Sequence, residues 1–173
     1  MNGVQGGGGA LGRWWPWVGT LLRLLLAGVL AVAGALKLPD PAESVRAVRA
    51  YQLLPEAVVP FVGYALPLLE LAVAVLLLLG LLTRWAALVS ALLMTAFLVG
   101  IGSAWARGLT IECGCFGGGG QVAASDTRYL PELVRDAGLL VAALLLVVRP
   151  DTRLALDGGP VADRRDRLVE ERT

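Results

Sequence analysis

The stretch FVGYALPLLELAVAVLLLLGLL, residues 61–82, contains one charged residue, Glu70, among its 22 positions. A helix that crosses the hydrocarbon core of a bilayer needs about 20 mostly apolar residues, because lipid offers no partner to unpaired backbone groups. Further apolar runs occupy residues 17–36, 85–105 and 133–148. The sequence therefore predicts an all-α protein, an integral membrane four-helix bundle whose spans are these runs.

The overall composition agrees with a membrane protein. Hydrophobic residues make up 57% of the 173 residues and charged residues only 17%. Soluble domains average roughly 45–50% apolar and about 25% charged residues. We therefore expect the lipid bilayer of the plasma membrane to surround the spans. The formal net charge of +1 gives no electrostatic basis for binding nucleic acid.

The chain divides into three regions. Residues 1–16 are rich in glycine, and we expect a disordered N-terminal tail. Residues 17–149 form the predicted membrane domain, and residues 150–173 form a polar, arginine-containing tail. The distribution of Lys and Arg around the spans favours cytoplasmic positions for both termini. This multi-pass orientation places the loop of residues 106–130 outside the cytoplasm.

The first apolar run contains Arg23, about two turns from its start. A basic side chain near the end of a span can reach the membrane interface by snorkelling. A signal peptide is the alternative interpretation, because Arg13, the apolar run and Ala31-Val32-Ala33 match its pattern. The run continues past Ala33 and tryptophans crowd its start, which favours a span.

The connections between the runs carry local signals. Residues 42–54 have apolar residues at helical spacing, which predicts a short surface helix. Thr83-Arg84 predicts a tight turn, so the second and third spans are expected to be antiparallel neighbours. Pro67 lies inside the second span and frees a backbone carbonyl, which tends to kink a helix.

Cys113 and Cys115 are the only cysteines, separated by Gly114 in a glycine-rich loop. A buried apolar pair is one interpretation. A structural disulfide is another, although it would close a loop of one residue and remove little entropy from the unfolded chain. A metal site needs more ligands, which without histidine only Glu112, Asp126 or a second subunit could supply. We favour a redox pair without metal, since a strained, exposed disulfide exchanges readily with thiolates.

The surroundings of the pair suit such exchange. Gly114 gives the backbone freedom to bring the sulfurs together, and the glycines from Gly117 onwards let the loop present them at the surface. Nearby Arg107 or Arg135 would favour the thiolate, while Glu112 would oppose it. We therefore expect the thiols to lie exposed, just outside the lipid.

Glu70 is the second feature that needs an explanation. A carboxylate at bilayer depth is costly unless it is paired or protonated, and such residues often mark function. Lys37 and Arg135, at the outer ends of their spans, are the expected partners. A structural ion pair and a functional role both remain open. In a functional role, Glu70 would relay a proton during thiol oxidation or hydrogen-bond a quinone, the one cofactor that the sequence suggests.

Taken together, these motifs resemble the methylamine-utilisation MauE family of DoxX-like four-helix membrane proteins. The resemblance covers residues 21–148 and rests on Ala-Gly-Ala-Leu-Lys37-Leu-Pro-Asp, Tyr51-x-Leu-Leu-Pro55, Leu66-Pro67-x-x-Glu70-Leu, Cys113-Gly114-Cys115-Phe116-Gly117 and Arg135-Asp136.

The resemblance implies a membrane partner in extracytoplasmic disulfide chemistry. Such a protein is expected to act with a thioredoxin-like protein, as in the maturation of methylamine dehydrogenase. Cys113 and Cys115 would be the exchange pair, followed by Phe116 and Gly117 of the motif. Lys37, Glu70 and Arg135 match charges of the family whose role is unassigned, and we expect them, with Gly114, to support the exchange pair. Better-known quinone-linked disulfide oxidases use two cysteine pairs, whereas this chain has one.

Three hypotheses of function follow. The first is a membrane thiol–disulfide redox protein, an oxidoreductase if it turns over. The second is a non-enzymatic scaffold or assembly factor for a redox or maturation complex. The third is an ion pathway around Glu70, which the lack of inverted repeats and of a second central charge disfavours.

Overall fold

The computed structural model describes residues 10–123, 125 and 127–156. The chain is mostly helical there, with a small antiparallel hairpin between the last two helices. Its elements are α1 (Ala10–Lys37), α2 (Pro41–Ala50), α3 (Val59–Leu79), α4 (Thr83–Ala106), β1 (Ile111–Glu112), β2 (Gly120–Gln121) and α5 (Tyr129–Val148). The expected disorder of residues 1–9 and the expected tail over residues 157–173 lie outside the described residues.

Three of the described helices are long and apolar enough to cross a membrane: α1 over Trp14–Lys37, α3 and α4. They coincide with three of the four predicted spans and indicate a multi-pass membrane protein. Helix α5 differs because it carries Glu132, Arg135 and Asp136 in its first half. Its uncharged remainder, residues 137–148, rises about 18 Å at 1.5 Å per residue, short of the roughly 30 Å hydrocarbon core.

Helix α1 begins earlier than expected, so residues 10–16 are helical and are not part of a disordered tail. Contacts with the chain beyond α5 account for this. Trp15 Nε1 donates to the carbonyl of Arg149 at 3.3 Å. Pro16 lacks an N–H, but its carbonyl accepts from Thr20 Oγ1 at 2.7 Å and from the backbone N–H of Arg153 at 3.4 Å. Composition alone could not reveal this tertiary support.

Arg23 was expected to snorkel to the membrane interface, but it does not. Its side chain is buried, with 1% exposed, and its guanidinium donates to the carbonyls of Arg153 and Leu154 at 3.4 and 3.1 Å. Backbone carbonyls of the segment after α5 therefore bind the guanidinium of Arg23, in place of the lipid headgroups that snorkelling would reach. The segment after α5 consequently lies against the first half of α1, at the end of the bundle away from the cysteines.

The turn between α3 and α4 lies at residues 80–82, while Thr83 and Arg84 belong to α4, so the predicted turn position is wrong. Gly80 has a φ of 64° and closes α3 by donating to the carbonyls of Leu76 and Leu77. A left-handed glycine is a common helix end because it has no Cβ to clash. Beyond the turn, α3 packs mainly on α1 and α4 mainly on α5.

Helix α2 is the expected surface helix, bounded at Pro41 and Ala50. Asp40 caps it by accepting from the backbone N–H of Glu43 at 3.2 Å, as N-terminal carboxylates commonly do. One face of α2, with Val45 and Ala47, is buried against α3 and the hairpin. This helix lies across the cysteine end of the bundle.

Candidate functional site

The cysteines lie in the hairpin that connects α4 to α5. Ile111 pairs with Gln121 and Glu112 with Gly120, so residues 113–119 form its tip. Gly114 has a φ of 68°, in the left-handed region that favours glycine. The sequence predicts a loop here without strands, because two-residue strands are too short to show an alternating pattern.

The thiol pair is not exposed, in contrast to our expectation. Both thiols are free; Cys113 is half-buried and Cys115 is buried, with 6% exposed. Helix α2 covers them, since a Cβ built on Gly114 would lie only 2.6 Å from Ala47 Cβ. Only glycine therefore lets the hairpin tip pack so closely beneath α2.

The two thiols are chemically unequal. The backbone N–H of Cys115 donates to Cys113 Sγ at 3.3 Å. A hydrogen bond from the Cys115 side chain, together with that backbone hydrogen bond, lowers the pKa of Cys113 from its usual value. The same side-chain hydrogen bond, with burial and the charge of Cys113, strongly raises the pKa of Cys115. Cys113 is therefore the thiol that ionises more readily, and Cys115 is the one that keeps its proton.

Charged groups around the pair also affect it. Of the two expected cations, Arg135 lowers the pKa of Cys113 by hydrogen bonding. Arg107 instead donates to the backbone carbonyls of Ser103 and Tyr51. The nearby charge of Glu132 raises the pKa of Cys113.

Glu70 forms its ion pair with Lys37. Lys37 Nζ lies 2.6 Å from Glu70 Oε1 and 2.8 Å from Oε2, and both side chains are buried. Arg135, the other expected partner, donates instead to Asp136 Oδ1 at 2.8 Å. Its guanidinium also lies 4.8 Å from the centroid of the Phe116 ring, within cation–π range. These contacts link the Cys-Gly-Cys-Phe-Gly motif to the start of α5.

A small void of about 10 Å³ is lined by the buried Cys115 together with Glu70, Arg135 and Asp136. Asp136 is buried, and its Oδ2 has no hydrogen-bond partner. Sequence reasoning did not select Asp136 as a site residue, because it looks like an ordinary charge near a helix start. Its position directly before the uninterrupted uncharged run of residues 137–148 was the available signal.

Tyr51 is a second residue that sequence reasoning missed. Its hydroxyl donates to the carbonyl of Cys113 at 3.0 Å, which fixes the hairpin tip to the end of α2. Burial is the main cause that raises the pKa of Tyr51 well above its usual value, so the phenol remains a donor. Over the described ranges, no group of three or more His, Cys, Asp or Glu side chains could hold a metal ion. Asp126, a suggested ligand, lies outside them.

A larger cavity of about 260 Å³ lies beneath α2, next to the thiols. It extends between the halves of α3 and α4 that are nearer the cysteines. Its lining comprises Lys37, Ser44, Ala47, Val48, Tyr51, Leu53, Leu54, Val62, Leu66, Leu93, Ala96, Phe97, Gly100, Cys113, Gly114 and Cys115.

Fold and site together define a class: multi-pass helical membrane proteins with a thiol pair beside a buried ion pair. Residues 15–149 match the family model of methylamine utilisation protein MauE. The chain is 35% identical over 129 residues to methylamine utilization protein MauE of Paracoccus denitrificans, covering 74% of this chain and 69% of that protein. The chain therefore belongs to the MauE family, as its motifs predict. A search of solved structures found no significant match.

Proposed function

We propose that this chain is a membrane thiol–disulfide redox protein in methylamine utilisation. It exchanges electrons at Cys113 and Cys115 with an extracytoplasmic thioredoxin-like protein, and thereby supports disulfide formation during maturation of methylamine dehydrogenase. The inequality of the two thiols carries the proposal. The more accessible sulfur has the lowered pKa, and the buried sulfur has the raised pKa.

This arrangement assigns a role to each sulfur. A partner thiolate attacks Cys113, the accessible sulfur of the Cys113–Cys115 disulfide; the S–S bond breaks and Cys115 takes up a proton. The second partner thiolate then attacks its own sulfur in the mixed disulfide and releases Cys113. A thiol of low pKa is a good leaving group, so this release is favoured. The partner loses two electrons, and the Cys113–Cys115 pair gains them.

The charges at the two ends of the bundle support a proposed orientation. The end away from the cysteines carries Arg84, Arg149 and Arg153, and the continuation of the chain adds four more arginines. Basic residues are enriched on the cytoplasmic side, so the proposal places both termini there and the hairpin outside.

We also propose α5 as the fourth span. Asp136 is buried, as are Leu139, Ala142 and Leu146 farther along the same face. Arg135 pairs with Asp136, so these charges are directed into the bundle, as intramembrane charges usually are. The short uncharged stretch would then place them near the outer membrane interface.

Trapping of the mixed disulfide tests the function. In Cys115→Ser, Cys113 can still attack the disulfide of the oxidised partner, which is the reverse of the second step, but Cys115 is not there to displace the partner, so a mixed disulfide should accumulate. Cys113→Ser, the matched variant, should trap at least tenfold less. The measurement is non-reducing electrophoresis of tagged protein from native membranes, followed by mass spectrometry of the captured protein. Equal trapping in both variants, or normal dehydrogenase disulfides in the double variant, would refute the proposal.

The burial of Cys115 beneath α2 favours a second candidate, a non-enzymatic scaffold for the maturation complex. A scaffold would use the helices and not the sulfurs. The Cys113→Ser/Cys115→Ser variant would then still co-purify with its partner and support maturation. Glu70→Gln would disturb both, because it removes a buried charge that binds α1 to α3.

A further inference from the structure

We propose that the cavity beneath α2 binds a membrane quinone, which accepts the electrons of the thiol pair. This inference rests on the proposed redox function and names its electron acceptor. The cavity and the sulfurs share one space, since both Cys113 and Cys115 line it. A ligand in the cavity would therefore contact both thiols without movement of the hairpin.

The size and polarity of the cavity fit a quinone ring. Its volume is about 260 Å³, whereas an apolar cavity of about 150 Å³ already binds benzene. Most of its lining side chains are apolar, including Leu66, Leu93 and Phe97. Water needs two to four polar partners to be held in a cavity, so such walls suit a planar apolar ring better.

Lys37 supplies the polar contact that a quinone oxygen needs. It is the one charged residue among the described residues that line the cavity. An ammonium group has three hydrogens, and the carboxylate of Glu70 accepts two hydrogen bonds from Lys37 Nζ. The third hydrogen makes no hydrogen bond with the described residues, although Nζ lies 5.7 Å from the centroid of the Phe97 ring, and it can donate to a ligand carbonyl. Glu70 thereby acts as a positioning residue that holds the ammonium at the cavity wall.

The opening of the cavity indicates where its ligand comes from. Lining residues Ala96, Leu53 and Leu54 are exposed, the two leucines by 49% and 41%. All three are apolar, and Ala96 lies on membrane-span candidate α4. A ring in the cavity can therefore extend an isoprenoid tail into lipid. A water-soluble oxidant would gain nothing from an apolar opening of this kind.

The reaction balances with one cysteine pair. The S–H bonds of Cys113 and Cys115 break, and one S–S bond forms. The two electrons and two protons released convert the quinone into a hydroquinone, with two new O–H bonds. The second cysteine pair used by better-known quinone-linked oxidases is then unnecessary, because the partner-facing thiols themselves reach the quinone.

The test mixes purified, reduced full-length protein in lipid nanodiscs with decylubiquinone or with menadione, which represent benzoquinones and naphthoquinones. At least one of them should yield one hydroquinone per disulfide formed. Ala96→Phe, which fills the cavity, should slow this oxidation at least tenfold. Ala72→Phe, the matched change at an exposed alanine of α3 outside the cavity lining, should not. Equal oxidation of both variants by the soluble oxidant diamide controls for folding.

Binding is measured separately from redox chemistry. An azidoquinone should photolabel the segments that line the cavity in Cys113→Ser/Cys115→Ser, and Ala96→Phe should abolish this labelling. Oxidation by diamide but by neither quinone, or equal quinone rates in both phenylalanine variants, would overturn the quinone site and leave the proposed function intact. Quinone oxidation with no partner trapped by Cys115→Ser would instead overturn the proposed function and support the quinone site.

Discussion

At the scale of single residues, the chemistry depends on a difference between two identical side chains. Cys113 and Cys115 are separated by one residue, yet one thiol accepts hydrogen bonds and the other is deeply buried. Because the thiolate is the reactive form of cysteine, this difference decides which sulfur meets a partner. In the proposed exchange the partner attacks Cys113, and Cys115 is the sulfur that leaves.

Alkylation of reduced protein measures this difference. The pKa of Cys113 is lowered by the hydrogen bond from Cys115, so its thiolate forms at a lower pH than that of an ordinary thiol, whose pKa is about 8.5. Iodoacetamide should therefore modify Cys113 first, with a rate that rises at a lower pH than the rate for an ordinary thiol. Cys115→Ala removes the donor and should shift this rise to higher pH, whereas Cys115→Ser keeps a donor and should shift it less. An unchanged profile in Cys115→Ala would contradict this cause.

Lys37 and Glu70 allow a second prediction at this scale. Breaking a buried ion pair by removing one partner costs about 3–5 kcal/mol, since the other charge is left uncompensated. Lys37→Met or Glu70→Leu alone should thus destabilise the protein by that order, measured by denaturant unfolding in detergent. The double variant should recover most of the loss, because no unpaired charge remains.

A matched control comes from the surface pair of Arg46 and Asp40, whose side chains are 53% and 52% exposed. Arg46→Gln should leave stability unchanged, because water already solvates both charges. A double variant at Lys37 and Glu70 that is as unstable as the sum of the single variants would show that the two charges act independently.

Prediction from sequence succeeded at this scale where a charged residue lies within an apolar run. A carboxylate inside an apolar run requires a partner, and Lys37 was one of the two expected. The burial of Cys115 could not be predicted, because it depends on α2 folding over the hairpin. Asp136 was missed for a related reason: its neighbours along the chain do not reveal that it lies beside Cys115 and Glu70.

At the scale of elements, the packing of α2 on the hairpin determines how the thiols are enclosed. Gly114 combines a φ of 68° with a Cβ position 2.6 Å from Ala47 Cβ. Gly114→Ala should therefore cost about 1–2 kcal/mol for the left-handed backbone and roughly 1–3 kcal/mol more for overpacking. It should also increase the alkylation rate of Cys115, since α2 must move away. Thermal unfolding and alkylation in a Cys113→Ser background measure the two effects.

Gly108 provides a control for the backbone contribution. It has the same φ of 68°, and a Cβ added there would meet nothing within 4 Å. Gly108→Ala should thus show the loss of stability due to the backbone alone and leave the alkylation of Cys115 unchanged. If both variants behave alike, contact with α2 does not enclose the thiols.

The elements themselves were largely predictable, because long apolar runs have few alternatives to a helix in lipid. Their ends were less predictable. Helix α1 starts early because Trp15 and Thr20 bind the chain beyond α5, and α4 starts just after a left-handed Gly80 and Leu82. These are contacts between distant segments or backbone choices at single residues, which hydrophobicity does not encode.

At the scale of the whole molecule, the bundle has two unlike ends. One end gathers the thiols, α2 and the cavity beneath α2. The other gathers the start of α1, the α3–α4 turn and the segment after α5, held together by Arg23. The proposed exchange requires the first end to face the compartment of the thioredoxin-like partner, because disulfides persist outside the cytoplasm.

Single-cysteine reporters test this orientation. In Cys113→Ser/Cys115→Ser, Ala123→Cys places a thiol on the exposed part of the hairpin connection, and Asp151→Cys places one at the opposite end. A membrane-impermeant maleimide should label Ala123→Cys in intact cells, and Asp151→Cys only after the membrane is permeabilised. Because the two reporters have comparable exposure, unequal labelling reports sidedness and not accessibility. Labelling in the reverse order would place the thiol pair in the cytoplasm, where thioredoxin and glutathione keep thiols reduced, and would remove the basis for an oxidising partner.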